Sequence, residues 1–492
     1  MIARQSCRPL VLALLLLLGL PAASRGAGRP DREDWQVIFL GGQRIGYSKS
    51  LSRSLERDGR EIVISDSLVA MTIKRFGISL KMTVRQTSEE DAATGKLLKA
   101  TLLTDNPPAS RTEMSGVAEG NDFVMQMKTA GRVTESRITL RDDVKSPAWQ
   151  ERYLEEHPLK PGESATFKMF SPESAKIGVV TLNQLEPEET TLLDGSKKKL
   201  AKTVMLNSIT PGVEATVYSD DDGRVQKMET NLLGMAMYAV SREEALKAIP
   251  ETELDIGIDG LLKVEVADPH HAKSVTYRIT TTSADPSTLF VDGGGQSVRK
   301  LSDSRAEVTV ARETLPAAPA PAESCLKPSA FLDSADERVQ ALAAEVETEG
   351  KSPTEIATAL VHFVHERVKE KTFSVAMGSA SEVARELKGD CTEHAVLLAA
   401  LLRVKKIPSR VAIGLVYVDP PKAFGGHMWT EAYLEGKWVP IDAAFNLAEV
   451  RSGHLKMADS DLADAAPAPV TEFIRMIHLW SGAKVEVVTP SM

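Results

Sequence analysis

Cysteine is scarce in this chain: Cys7, Cys325 and Cys391 are the three among 492 residues. That number excludes a fold stapled by many disulfides. Neither a CxxC nor an HExxH pattern occurs, so no metal site and no cofactor is predicted. No cluster of acidic side chains marks a calcium site either. A dense Lys/Arg patch is also missing, and the formal net charge is −9. It becomes −11 once Arg4 and Arg8 are removed with the leader described below, which argues against nucleic acid as a partner. Beyond that leader no segment approaches the roughly 20 apolar residues that a spanning helix needs, so no stable membrane span is expected after its removal.

The leader is present and distinct. Arg4 and Arg8 precede the apolar run VLALLLLLGL, and PAAS supplies small residues for cleavage near Ser24. Residues 1–24 thus read as a secretory signal peptide, which predicts a secreted or periplasmic protein. An uncleaved anchor fits less well, because the run is short. Cys7 lies ahead of the run, so it cannot be a lipoprotein acylation site.

The densest chemical signal lies far downstream, in Gly389-Asp390-Cys391-Thr392-Glu393-His394 followed by AVLLAALLR. Asp390 with Glu393 three residues later forms a capping-box pattern, which predicts a helix whose first turn holds Cys391. Free backbone N–H groups and the helix dipole favour a thiolate there. Leu397, Leu398, Leu401 and Leu402 recur at helical spacing and predict that the rest of the helix is buried. A thiol nucleophile also needs a base, and the base needs a group that fixes its tautomer. His427 and Asp442 are of the right types.

Strand arithmetic places them. HMWTEAYLE puts His427, Trp429, Glu431 and Tyr433 on one face, and Gly436 marks a turn into WVPID. With Gly436 and Lys437 as a two-residue loop, Asp442 sits opposite Glu431; with Glu435 and Gly436, opposite Trp429. Both registers put Asp442 on the His427 face, and the second makes the two diagonal neighbours, with Cβ atoms roughly 7–8 Å apart.

GDCTEHAVLLAALLRVKKIPSRVAIGLVY and GGHMWTEAYLEGKWVPIDAAF together resemble the core of the transglutaminase-like superfamily in its bacterial, papain-related form. The resemblance covers about residues 330 to 450. It implies Cys391 as nucleophile, His427 as general base and acid, and Asp442 as the orienting residue. It also implies acyl transfer from an amide of a protein or peptide substrate through a thioester, with hydrolysis favoured. A protein cross-linking transglutaminase is one alternative. The other is a non-catalytic envelope scaffold with a degenerate core. Relatives often supply an oxyanion donor from an upstream Trp or Gln, yet residues 371–389 contain neither, which leaves the Cys391 backbone N–H. His394, one turn along the helix, is expected to pack against a neighbouring segment, and His362 and His365 to be ordinary polar residues of another helix. In an exported chain Cys325 and Cys391 can remain thiols or pair, and pairing would consume the nucleophile.

The rest of the chain reads as strands. Its length predicts about three domains. Residues 31–245 alternate apolar and polar residues between turn signals such as Arg57-Asp58-Gly59 and Asp221-Asp222-Gly223, which predicts a large antiparallel β domain curved around an apolar face. LLKVEVAD, SVTYRITTTS and AEVTVAR predict a small sandwich-like domain over 252–313. Pro316, Pro319 and Pro321 then mark a stiff linker, 314–328. The catalytic core is expected over 330–490, giving a multidomain α+β protein. Every candidate catalytic residue follows the linker, so the upstream strands are expected to choose or position the substrate. Oligomeric state is left open.

Overall fold

The computed structural model describes residues 31–105, 111–129, 132–249, 254–313, 315–370, 377–464, 475–476 and 478–489. The leader, residues 1–24, lies outside them.

The alternating N-terminal segments pair into one fifteen-stranded sheet. Strands β1 (Arg32–Leu40) to β8 (Arg132–Thr139) follow one another outward as antiparallel neighbours. Strands β9 (Val144–Lys145) to β15 (Ala236–Val240) return from the other edge, and β1 pairs β15 with Trp35 opposite Val240. β9 pairs parallel with β10 (Ser164–Ser171), and helix α1 (Trp149–Glu156) lies between those two strands in sequence. Short helices α2 (Arg242–Ala245) and α3 (Ile256–Asp259) lead out of the sheet. The tip joining β3 (Arg60–Arg75) to β4 (Ile78–Asp91) is clamped onto α3. The backbone N–H groups of Phe76 and Gly77 donate to Asp255 at 2.7 and 2.6 Å, and Asp255 also caps α3.

The strands expected as a sandwich over 252–313 are divided between two sheets. β16 (Leu262–Lys263) pairs with β21 (Ala423–Leu434), inside the C-terminal core. β17 (Ser274–Thr280), β18 (Gln296–Ser302) and β19 (Arg305–Ala311) form a four-stranded sheet completed by β24 (Lys484–Thr489), in the order β18-β19-β17-β24. The physical reason is edge pairing. Local alternation sets which residues face a core, and the partner strand can come from anywhere in the chain. The described residues of the Pro-rich segment include no strand or α-helix, and they are strapped onto the core, with Ala318 N–H donating to Gly436 O at 2.9 Å and Tyr433 Oη donating to Ala318 O at 3.1 Å.

The core sheet runs β16-β21-β20-β23, where β20 is Ser409–Val418 and β23 is His454–Ser460; β22 (Lys437–Ile441) also pairs β21. Helices α4 (Glu337–Ala344), α5 (Pro353–Arg367) and α6 (Ala380–Glu386) surround α7 (Cys391–Val404), which lies against β20 and β21. Residues Cys391 to Arg403 of α7 are all buried. A helix apolar on every side must sit inside a domain. Its backbone takes two side-chain bonds from the sheet, Thr430 Oγ1 to Ala395 O at 3.0 Å and Ser409 Oγ to Ala399 O at 2.7 Å. One contiguous apolar cluster extends from Ile38 and Met71 in the large sheet through Tyr277 and Val308 to Leu398 and Met428. The molecule is therefore α+β, with a large antiparallel sheet joined to a mixed C-terminal core.

Candidate active site

Cys391 is the first residue of α7. Asp390 is its N-cap, accepting from Thr392 N–H at 3.0 Å, while Glu393 reaches back to Asp390 N–H at 2.9 Å. Glu393 also accepts from Gly378 N–H at 3.0 Å, which ties the start of α6 to the same turn. The side chains of these residues are buried, so the capping bonds hold without competition from water. His394 is buried and turns its Nδ1 back to Asp390 O at 2.5 Å, one of its bonds lying within its own helix.

The hairpin takes the second of the two registers. Leu434 pairs Lys437 and Thr430 pairs Ile441, which leaves Glu435 and Gly436 as the loop and Asp442 opposite Trp429. Both loop residues have positive φ, 50° and 78°, as a type I′ turn requires. His427 and Asp442 consequently meet: His427 Nε2–H donates to Asp442 Oδ2 at 2.7 Å, and both side chains are buried. Asp442 Oδ1 accepts from the N–H groups of Ala444 and Phe445 at 2.8 and 3.3 Å.

A second histidine shares that carboxylate. His454, the first residue of β23, donates Nε2–H to the same Oδ2 at 2.9 Å. Burial alone would raise the Asp442 carboxyl, but His427 and His454 hold it far below the usual carboxylate range. Burial pushes the His454 ring down to about 3 despite Asp442, so it is neutral near pH 7. A third ring, His270, packs edge-on to His454 at 5.6 Å and bonds Tyr417 O at 2.9 Å through Nε2. Trp429 stacks over His427 at 6.2 Å between ring centres, and Phe445 meets His427 edge-on at 5.2 Å. His362 and His365 tie α5 to the segment after Asp442, through Asn446 Oδ1 at 2.6 Å and Ala443 O at 2.8 Å.

The structure brings His427 and Asp442 into direct contact. It packs α7, with Cys391 at its start, against β21 and makes no hydrogen bond between the thiol and His427. His427 Nδ1 has no hydrogen-bond partner among the described residues. Cys325 and Cys391 are not joined by a disulfide, and Cys325 has its thiol pushed up, first by burial and then by Asp461. The sequence reading missed His454 and His270. Their partners lie 12 and 147 residues away, and neither sits in the Cys391 or His427 motif.

His427, Asp442 and His454 have the donor types of a cation site. Ligand atoms around a tetrahedral zinc ion stand about 3.4 Å apart. The two N···O distances of 2.7 and 2.9 Å are instead those of charge-assisted hydrogen bonds.

A cysteine at the start of a buried helix, packed on the strand that carries the histidine of a His–Asp pair, is an arrangement of residue types that thiol-dependent enzymes use. Residues 340–443 match the model of the transglutaminase-like superfamily, a segment that starts in α4 and ends one residue past Asp442. This part of the chain is a transglutaminase-like core. No curated protein matches the chain. Among solved structures, a provisionally assigned cysteine protease from Cytophaga hutchinsonii is similar at 18% identity, over 44% of this chain and 90% of that one, with a TM-score of 0.29. A β-barrel-like protein of unknown function from Brucella abortus is similar at 8% identity over 43% and 94%, with a TM-score of 0.32. A provisionally assigned protease from Parabacteroides distasonis is similar at 14% identity over 68% and 64%, with a TM-score of 0.17.

Proposed function

We propose that this protein is an exported thiol-dependent hydrolase of amide bonds in proteins or peptides, with Cys391, His427 and Asp442 as its catalytic residues. The observation that carries the proposal is the buried 2.7 Å bond from His427 Nε2–H to Asp442 Oδ2. It puts the ring proton on Nε2 and leaves Nδ1 as the basic atom. Nδ1 accepts the thiol proton as Sγ attacks the amide carbon. The developing oxyanion is assigned to the Cys391 backbone N–H at the helix start. When the C–N bond breaks, the Nδ1 proton passes to the leaving amine. Water then attacks the thioester carbon, His427 accepts a proton from it, and the carbon–sulfur bond breaks to give the carboxylic acid and the thiol. An amine in place of water would make the same chemistry a cross-linking reaction.

Export is the second part of the proposal and is supported by the leader sequence of residues 1–24. No helix among the described residues is long and apolar enough to cross a membrane.

One observation favours the scaffold reading. Cys391 is only 2% exposed and its thiol makes no hydrogen bond to His427. Catalytic contacts are often long in ligand-free enzymes and tighten with substrate, so thiol reactivity decides between the readings. The test is intact-mass measurement of iodoacetamide alkylation at graded pH for wild type, Cys391→Ala and His427→Ala. Cys391 should alkylate well below the unperturbed thiol pKa of about 8.5, and His427→Ala should slow it markedly. Equal, unactivated reaction of Cys391 and Cys325 at every pH would leave the scaffold reading. For wild type acting on peptides, hydrolysis and amine capture are told apart by product mass.

A further inference from the structure

We infer that His454 is a positioning residue for the proposed thiol site, holding Asp442 through the same carboxylate oxygen that holds His427. The inference rests on the reading of Cys391, His427 and Asp442 given above, and it adds a residue from a different strand.

An ionised carboxylate only accepts, so each Nε2 that contacts Asp442 Oδ2 must carry its proton. Both rings therefore carry a proton on Nε2, and neither Nδ1 has a hydrogen-bond partner among the described residues. In its neutral form His427 is then the tautomer a base needs. His454 is walled in by Trp429 at 5.2 Å, His427 at 5.5 Å, His270 at 5.6 Å and Phe445 at 6.1 Å between ring centres. A neutral ring so enclosed serves as a fixed donor.

The second donor matters because of where it comes from. Asp442 follows β22, His427 lies on β21, and His454 begins β23, on the far side of β20. Bonds from two rings on different strands, together with the Ala444 and Phe445 N–H groups, give each oxygen of Asp442 two donors and hold the carboxylate from both sides. Its oxygen stays in place whether His427 is neutral or protonated. The β23 backbone is anchored in turn by Gln296, which exchanges two bonds with Lys456 at 2.8 Å, and by Arg312, which donates to His454 O at 3.1 Å.

The test uses the full chain carrying Cys325→Ala, with iodoacetamide as the probe and intact mass as the readout from about pH 5 to 9. Variants are His454→Leu, which removes the donor, His454→Gln, which offers an amide N–H in its place, and His427→Ala. His454→Leu should slow Cys391 alkylation near pH 6 by about tenfold or more and move the profile toward that of a simple thiol. His454→Gln should stay within about threefold of wild type, a rescue that a merely space-filling role would not produce. Ring-nitrogen NMR of the wild type should show His454 as the Nε2–H tautomer and His427 with a proton on Nε2, which covers the case in which His454→Leu does not fold. A wild-type profile in His454→Leu, failure of His454→Gln to rescue, or a His454 ring protonated on Nδ1 would overturn the inference. If His427→Ala leaves the profile unchanged, the triad itself fails, and that outcome is separate from any result at position 454.

Discussion

At the scale of single residues, one carboxylate oxygen serves two rings, and this has a pH signature. His454 titrates near 3 in the fold, pushed down by burial against the pull of Asp442, with His427 and His270 as the other titratable neighbours. In the unfolded chain a histidine titrates near about 6.5. Between those values the unfolded state binds a proton that the folded ring refuses. The stabilising term is therefore present above about pH 6.5 and is lost as pH falls toward 3, by on the order of a few kcal/mol. Asp442, also held low, contributes in the same direction at more acid pH. Urea midpoints at pH 7, 5 and 4 should fall steeply for wild type and less steeply for His454→Gln; parallel curves would refute the assignment. The capped turn at Cys391 and the His427–Asp442 contact were legible in sequence because Cys391 follows a capping pattern and His427 and Asp442 obey strand alternation. His454 was not, because a strand's first residue carries no mark of the carboxylate that it will meet.

At the scale of elements, the turn at the start of α7 is the most constrained piece. Gly389 has φ +150°, and a Cβ added there would stand 2.3 Å from Glu393 Cβ. Glu393 cannot yield without losing its bonds to Gly378 and Asp390. Gly389→Ala should thus cost about 1–3 kcal/mol in urea unfolding, as overpacked sites do. It should also slow Cys391 alkylation, whereas Gly436→Ala, which meets no neighbour but is strained at its φ of 78°, should lower stability and slow alkylation less. Equal alkylation in Gly389→Ala and wild type would show that the thiol does not depend on this turn. The capping box was readable because its residues are three apart. The hairpin was readable only to within two registers. The choice rests on Glu435 accepting a left-handed conformation, a tolerance that alternation does not record. One residue added to that loop would turn Asp442 to the opposite face.

At the scale of the molecule, the boundary expected at the Pro-rich linker does not coincide with the boundary of the site. β23 is held by Gln296 and Arg312, Tyr277 Oη donates to Ser452 O at 3.0 Å, and β16 extends β21, all from before residue 314. A chain beginning at Ala330 is therefore expected to lose cooperative unfolding and the Cys391 reactivity proposed above, while one beginning at Leu254 keeps both. Denaturation curves and alkylation of the two chains check this, and an intact site in the shorter one would restore the linker as a true boundary. Alternation showed that these segments are strands. It could not show which sheet each would join, because that depends on edges made elsewhere in the chain.

The pairing of β17 with β24 also has a consequence for how the protein is born. Chains are made and exported from the amino end, so β24 emerges later than every other element described here. Until it arrives, β17 keeps an open edge, and the sheet that carries Gln296 toward β23 is unfinished. The nascent chain thus carries the β17 edge open through nearly all of its synthesis, and the last described strand to appear is the one that closes the sheet beside the candidate site.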